Sequence, residues 1–285
     1  MNSKIVKFLI LPIAAAAAGC SAVNHPGDDN MNTKFKFVAH RGESMFAPEN
    51  TAEAYTLAWR NGTAWGAETD VYLTQDGVLV CSHDDSATRT AGIDFKFRDH
   101  TLEEAKKLDV GKWKGPQWTG CKVPSLREVF NTMPPEAHIY VEIKSAGEGF
   151  AKAFEEARIA SGVRKSQIHF ISFSVEELKS AKEQLPGYPT YLLRWSSQNE
   201  DGSLKLSTEE IIRVLSENGF DGIDLGAPDY SITPEYVKAI HDAGFSFHAW
   251  TINNPDYAAK LIEYGVDSIT SDSPYKLHTE IFGEL

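Results

Sequence analysis

The strongest constraint on the fold is an alternation of short apolar runs with longer amphipathic segments from residue 35 onward. The segments between most of the runs carry apolar residues at helical spacing. The runs, taken as strand candidates, are 35–40, 66–73, 78–83, 138–144, 168–172, 190–194, 221–226, 245–252 and 267–270. Because helices between strands act as crossover connections, this order predicts parallel strands.

The second and third runs are an exception, because only the residues TQDG separate them. A parallel crossover needs about a dozen residues, and Asp76-Gly77 is a hairpin-turn signal. The third run is therefore predicted to be antiparallel, which leaves eight parallel strands and predicts a (β/α)8 TIM barrel. A doubly wound sheet is the alternative, but no glycine-rich nucleotide loop supports it.

The hairpin also predicts which side chains share a face. Pairing centred on Asp76-Gly77 places His83 opposite Asp70, and pairing centred one residue earlier places His83 opposite Glu68. Since alternate residues of a strand face the same side, either register gathers the imidazole and both carboxylates.

The N-terminal residues predict export. Lys4 and Lys7 precede the apolar run FLILPIAAAAAG, which is about half the length of a membrane span. Gly19-Cys20 follows and resembles a bacterial lipoprotein signal, in which Cys20 becomes the lipidated first residue; an ordinary cleaved signal is the alternative. The protein is thus expected to be anchored to a bacterial envelope membrane by lipid.

The remaining chain divides into a short tether and one large domain. We expect a signal peptide at 1–19, a lipidated cysteine and tether at 20–33, and a barrel domain at 34–285. Residues 85–123 are too long for an ordinary loop and are interpreted as a small inserted cap after the second strand. An exported location permits a disulfide between Cys81 and Cys121, but the sequence leaves it open.

The formal net charge of −12 limits the partners of this domain. It argues against nonspecific nucleic-acid binding, which requires a basic face. It also gives no reason to expect adhesion to an anionic membrane surface. An anionic small molecule could bind only at a local positive site such as a metal.

Three acidic residues are predicted to converge where barrel enzymes build their active sites, at the carboxyl ends of strands. Glu68 and Asp70 alternate in the second run, and Glu142 lies in an E-x-K pattern with Lys144. Converging carboxylates raise one another's pKa values unless a cation intervenes. An all-oxygen set suits Ca²⁺ or Mg²⁺ rather than Zn²⁺. The alternative is that Glu68 and Glu142 form structural ion pairs.

Basic residues at the same strand ends complete a catalytic constellation. Arg41 and Lys144 beside a metal would make a phosphate site. His40 and His83 could titrate near neutral pH as an acid–base pair. This combination indicates phosphodiester hydrolysis. His248, by contrast, is interpreted as a core histidine.

Two further features belong to this site prediction. Asn50 in the PENT segment is predicted to be the N-cap of the first helix, with Glu53 three residues on. Glu49 in the same turn, and Trp250 at the end of a later strand, are candidate substrate-binding residues.

These motifs together resemble the glycerophosphodiester phosphodiesterase family throughout residues 35–280. The matching segments are His40-Arg41-Gly42 with Pro48-Glu49-Asn50-Thr51, ETDVYLTQDGVLVCSHD (68–84), VEIK (141–144), HAWTIN (248–253) and ITSDSP (269–274). The resemblance implies a TIM barrel, one divalent cation on Glu68, Asp70 and Glu142, acid–base catalysis by His40 and His83, and phosphate binding by Arg41 and Lys144.

The resemblance implies hydrolysis of a glycerophosphodiester to sn-glycerol 3-phosphate and an alcohol. Attack by the glycerol 2-hydroxyl through a cyclic phosphate and direct attack by water both remain open. A phospholipase-type activity on intact lipids and a non-catalytic surface binding protein are the alternatives. The alcohol moiety and the oligomeric state are not predicted by the sequence.

Overall fold

Eight parallel strands close into a barrel in the computed structural model, which describes residues 35–284. The strands are β1 (Phe37–Ala39), β2 (Gly66–Leu73), β3 (Leu79–Cys81), β4 (His138–Ile143), β5 (Ile168–Ser172), β6 (Thr190–Trp195), β7 (Gly222–Gly226), β8 (Ser246–Trp250) and β9 (Ser268–Ser271). Strand β1 pairs with both β9 and β2, so the eight parallel strands form a closed ring in which none lies at an edge. The TIM barrel prediction is confirmed, and an open doubly wound sheet is excluded.

Helices connect most of the parallel strands. They are α1 (Ala52–Arg60), α2 (Thr88–Ala91), α3 (Leu102–Ala105), α4 (Leu126–Phe130), α5 (Phe150–Ser161), α6 (Val175–Gln184), α7 (Thr208–Asn218), α8 (Pro234–Asp242), α9 (Pro255–Glu263) and α10 (Pro274–Phe282). Among the residues described, no helix is both long and apolar enough to cross a bilayer.

The barrel has an outer and an inner core. On the outside, aromatic side chains such as Phe154 and Phe170 pack between strands and helices, with ring centroids 4.9 Å apart. On the inside, Tyr140, Tyr191 and Leu193 belong to a separate buried cluster. A barrel interior filled with side chains confines any ligand to the ends of the strands.

The hairpin of β2 and β3 is antiparallel, as predicted, but both predicted registers are wrong. The ladder pairs Val71 with Cys81 and Leu73 with Leu79, so its continuation would set His83 opposite Thr69. The turn has one residue more than a two-residue loop, with Gly77 at φ 76°. Because β3 ends at Cys81, His83 reaches the site from the following segment and not from the ladder.

Helix α1 begins one residue later than predicted. The N-cap is Thr51, whose side chain accepts a hydrogen bond from the backbone N–H of Ala54, and not Asn50. Asn50 instead has a left-handed backbone, with φ 55°, and its side chain points toward β2. This correction gives Asn50 a part in the site.

Residues 85–123 contain α2 and α3 and build a small core of their own. Phe95, Phe97 and Leu108 are buried in it together with Val80 of β3. Lys114 Nζ donates to the carbonyl oxygen of Ser44 at 2.7 Å, which ties the segment to the loop after β1. That this segment acts as a cap stays a prediction.

Cys81 and Cys121 are both buried free thiols, so the permitted disulfide is not formed. The predicted signal, the lipidation site at Cys20 and the tether lie outside the described residues.

Candidate active site

Three carboxylates meet at the carboxyl ends of β2 and β4. Asp70 and Glu142 are direct neighbours in the parallel ladder, and Glu68 lies on the same face two residues before Asp70. Their oxygens come within 4.8 Å of one another, and each residue is at most 7% exposed. The structure therefore brings together the predicted acidic set.

Two cations offset part of this negative charge. Lys144 Nζ lies 2.8 Å from Asp70 Oδ1 and 2.5 Å from Glu142 Oε1. Arg41 Nε lies 3.5 Å from Asp70 Oδ2, and the backbone N–H of Arg41 donates to Glu68 Oε2 at 3.0 Å. Of the ion pairs expected as an alternative to a metal site, the pair of Glu142 with Lys144 is present. Glu68 instead receives only the backbone N–H of Arg41 within residues 35–284.

These contacts give the three carboxyl groups different pKa values. Burial and the neighbouring carboxylates raise the pKa of Glu68 well above its usual range and that of Glu142 to about 8. Burial acts on Asp70 in the same direction, but Lys144 and Arg41 outweigh it and hold its pKa below the usual range. The site therefore lacks enough local positive charge to ionise all three acids.

A divalent cation would supply the positive charge that the acidic set lacks. Oε1 of Glu68 is buried and has no hydrogen-bond partner within residues 35–284. An unsatisfied buried carboxylate oxygen is costly unless it meets a cation or a donor. All three residues offer oxygen, the ligand atom that Ca²⁺ and Mg²⁺ prefer. The residues present therefore fit a hard cation, as expected from the sequence.

Asn50 orients the acidic set from the loop before α1. Its Nδ2 donates to Asp70 Oδ2 at 2.8 Å, and its Oδ1 accepts from the Tyr55 hydroxyl at 2.8 Å. The left-handed backbone of Arg41 and Asn50 places both side chains on β2. Gly42 packs so closely on α1 that a Cβ there would lie 2.7 Å from Ala54, which explains why glycine occupies the turn.

His40 is held by a carboxylate from the opposite end of the chain. Its Nδ1 lies 2.7 Å from Asp272 Oδ1, just after β9. Asn253 and Ser44 also donate to Asp272. These hydrogen bonds outweigh burial and lower the pKa of Asp272 to about 2, so Asp272 is ionised at neutral pH.

His83 has a carboxylate partner of its own. Its Nδ1 lies 2.8 Å from Asp84 Oδ1, and Asp84 Oδ2 accepts from Arg89 Nε at 2.7 Å. Burial, opposed by Asp70 and reinforced by the nearby cations Arg41 and Lys144, lowers the pKa of His83. Its neutral form is thereby favoured.

Glu49 joins the two histidine loops rather than facing the cavity. It accepts from Arg41 at 3.0 Å and from the guanidinium of Arg89 at 2.7 and 2.8 Å. Asp272, Arg89 and Asn50 were not among the predicted site residues. Only Asp272 had a sequence signal, since it follows the last predicted strand.

A cavity of about 110 Å³ lies at this end of the barrel. One wall is polar and includes His40, Arg41, Glu68, His83 and Glu142. The other wall is formed by Ile171, Phe173, Leu193, Asp224, Trp250 and Thr270. Trp250 thus reaches the cavity as predicted, and its indole Nε1 donates to the carbonyl oxygen of Asp224 at 3.0 Å.

His248 lies within the barrel and away from the cavity lining. It is 4% exposed, and its Nδ1 lies 2.7 Å from Ser268 Oγ. Burial lowers its pKa to about 4, so it is neutral at physiological pH. This is the environment predicted for a core histidine.

A barrel mouth that combines two imidazoles with an acidic set able to hold a cation offers the groups that phosphate-ester hydrolysis uses. Residues 40–276 match the model of the glycerophosphoryl diester phosphodiesterase family. The chain belongs to this family and is an enzyme of that class.

Individual relatives agree with this assignment. A glycerophosphodiester phosphodiesterase of Bacillus subtilis (strain 168) is 31% identical over 96% of this chain and 93% of its own. One from Caldanaerobacter subterraneus subsp. tengcongensis is 32% identical over 84% of this chain and 95% of its own. The structure of an Oleispira antarctica phosphodiesterase in complex with the product sn-glycerol-3-phosphate is 30% identical, with a TM-score of 0.75, over 86% of this chain and 96% of that one.

The Asp272–His40 contact predicts a positioning role for Asp272. Asp272→Asn removes a charged acceptor, whose hydrogen bond contributes about 1.5–3 kcal/mol. We expect kcat to fall about tenfold or more, with KM little changed and the pH–rate profile displaced. Steady-state kinetics across pH would measure both.

Asp267→Asn is the matched control, because Asp267 Oδ2 bonds His241 Nε2 at 2.9 Å outside the cavity lining. Equal effects of the two substitutions, or an unchanged pH profile in Asp272→Asn, would contradict the positioning role.

Proposed function

We propose that the protein hydrolyses glycerophosphodiesters to sn-glycerol 3-phosphate and an alcohol. The observation that carries this proposal is the lining of one cavity by both imidazoles, Arg41 and two carboxylates of the acidic set. The family assignment supports the reaction class. The product in the Oleispira antarctica complex supports the choice of glycerol phosphate.

His40 and His83 are proposed to transfer the two protons of the reaction. Each ring engages a carboxylate through Nδ1, which leaves Nε2 for the substrate. One imidazole accepts the proton of the attacking hydroxyl while the phosphorus–oxygen bond to the leaving group breaks, and the other protonates the departing alkoxide. With water as nucleophile, the new phosphorus–oxygen bond gives sn-glycerol 3-phosphate directly. With the glycerol 2-hydroxyl as nucleophile, the new bond gives a cyclic phosphate, which water then opens to sn-glycerol 3-phosphate.

Arg41 and Lys144 are proposed to bind the phosphate through its non-bridging oxygens. Arg41 lines the cavity, and Lys144 lies beside Glu142 at its polar wall. Glu68, Asp70 and Glu142 would hold one divalent cation, Ca²⁺ or Mg²⁺. Such a cation supplies Lewis-acid stabilisation of the charge that develops on the phosphate.

Removing either imidazole should abolish most of the turnover. For His40→Ala and His83→Ala we expect kcat for glycerophosphocholine to fall at least about 10²-fold, the lower range for a general acid or base. Release of sn-glycerol 3-phosphate from glycerophosphocholine, glycerophosphoethanolamine and glycerophosphoinositol would be measured.

His241→Ala, a histidine outside the cavity lining, controls for unspecific effects. Near-wild-type rates in either cavity variant would reject that histidine as a catalyst. If no glycerophosphodiester releases glycerol phosphate, or if intact phosphatidylcholine is cut in preference, the proposed substrate class is wrong.

Chelation should inactivate the enzyme reversibly. The acidic set binds Ca²⁺ and Mg²⁺ through hard oxygens, so EDTA should remove turnover, and Ca²⁺ or Mg²⁺ should restore it. Glu142→Gln should weaken the response to added cation, whereas Glu148→Gln, on a nearby loop outside the set, should not. Full turnover in EDTA would contradict the metal site while leaving the acid–base pair untouched.

We also propose that the protein is exported and anchored by a lipid on Cys20. The support is the sequence Lys4, Lys7, an apolar run and Gly19-Cys20. Expressed in a bacterial host with alkyne-labelled palmitate, the wild type should carry label and Cys20→Ala should not. Cys121→Ala is the matched control and should keep the label. Labelling of Cys20→Ala, or an unlabelled wild type, would reject the anchor.

A further inference from the structure

Asp224 is a buried carboxyl group that the reaction outlined above does not use. It lies in the middle of β7 and is 1% exposed, yet it lines the active-site cavity. Its Oδ1 is buried without a hydrogen-bond partner among the residues described. Such a group lowers stability unless something else satisfies it, because desolvation of a polar atom without a hydrogen bond is unfavourable.

The barrel places Asp224 across from the acidic set. Around the closed sheet, β7 is four strands from β2 in either direction, through β4, β5 and β6 or through β8, β9 and β1. The cavity lining includes Glu68 on one side and Asp224 on the other. If a diester binds with its phosphate at the polar wall, one of its two organic groups extends across the cavity toward Asp224.

The surroundings of Asp224 hold it in place but do not satisfy it. Trp250 Nε1 donates to its backbone carbonyl, while Oδ1 of the side chain has no partner within residues 35–284. Ile171 and Leu193 are apolar neighbours in the cavity wall. Burial raises the pKa of Asp224 to about 7. The carboxyl group is thus available to a ligand.

We propose that Asp224 binds a hydroxyl group of the glycerol moiety and so selects hydroxylated phosphate esters over unsubstituted alkyl ones. This inference rests on the proposed function. A hydroxyl donates one hydrogen bond, and one unpaired acceptor satisfies it. A site built to bind a hydroxyl rejects analogues that lack it, since its buried polar group is then left unpaired.

An ammonium group is a poorer fit at this position. Burial disfavours the charged form of Asp224, and its neighbours in the wall include no second carboxylate. Moving a full positive charge into such a wall carries a desolvation penalty that a single pair rarely offsets. The same geometry therefore favours the polyol part of the substrate over a cationic head group.

The test compares two ligands that differ only in hydroxyl groups, sn-glycerol 3-phosphate and propyl phosphate. Their inhibition constants against glycerophosphocholine hydrolysis, and their affinities by calorimetric titration, would be measured for the wild type and Asp224→Leu. We expect the variant to bind sn-glycerol 3-phosphate about tenfold to hundredfold more weakly, the range for a buried hydroxyl group left without its partner. Propyl phosphate should bind both proteins alike.

Two further variants make the result specific. Asp224→Asn keeps an acceptor oxygen and should retain most of the preference for glycerol phosphate. Asp221→Leu, at an exposed position just before the same strand, should leave both affinities unchanged. If Asp224→Leu does not fold, Asp224→Ala is measured by the same criterion.

The outcomes separate this inference from the proposed function. Equal weakening of both ligands, or no weakening of either, would overturn the role of Asp224 even if hydrolysis is intact. A wild type that releases no glycerol phosphate would overturn the proposed function, while calorimetric titration would still decide whether Asp224 distinguishes the two ligands. A large fall in melting temperature in all Asp224 variants would assign the residue to the fold and reject the inference.

Discussion

The active site depends on the balance between three buried carboxylates and the two cations beside them. Glu68, Asp70 and Glu142 come together because β2 and β4 are adjacent and in register. Arg41 and Lys144 compensate only part of their charge. Removing one member of such a buried set leaves an uncompensated charge, which costs about 3–5 kcal/mol. The same excess of negative charge that limits stability suits a hard cation.

Hydrogen bonds from loop residues hold the two imidazoles and Asp70 in place. Asp272 fixes His40, Asp84 fixes His83, and Asn50 fixes Asp70. Arg89 and Glu49 then connect the loop of His83 to the loop of His40. These contacts hold side chains from distant parts of the chain in fixed positions around the cavity. The cavity therefore has a preorganised polar wall.

The opposite wall of the cavity has a different character. Phe173, Leu193 and Trp250 make it apolar, and Asp224 is the single carboxyl group among its lining residues. The proposed phosphate site and the proposed hydroxyl site thus lie on different walls of the cavity. This division follows from the barrel, in which strands that are far apart in the closed sheet face each other across the mouth.

The sequence alone determined the barrel, its antiparallel hairpin and most of the residues that line the polar wall. Periodicity and turn residues are local signals, so strand bounds such as Gly66–Leu73 and Ile168–Ser172 agree with the structure to the residue. The acids and imidazoles could be predicted to lie together because the carboxyl ends of parallel strands meet at one end of a barrel. Because side chains alternate along a strand, Glu68 and Asp70 were also predicted to share one face.

Only the tertiary structure decided the partners of those residues. The hairpin register depended on a turn one residue longer than assumed, and the cap of α1 moved to Thr51 because Asn50 is bound to Asp70. Asp272 and Arg89 reach the site through long-range contacts that no local pattern encodes. Asp224 looked like any polar residue in an apolar strand. Its Oδ1 is buried without a partner among residues 35–284, and this depends on what the rest of the barrel places around it.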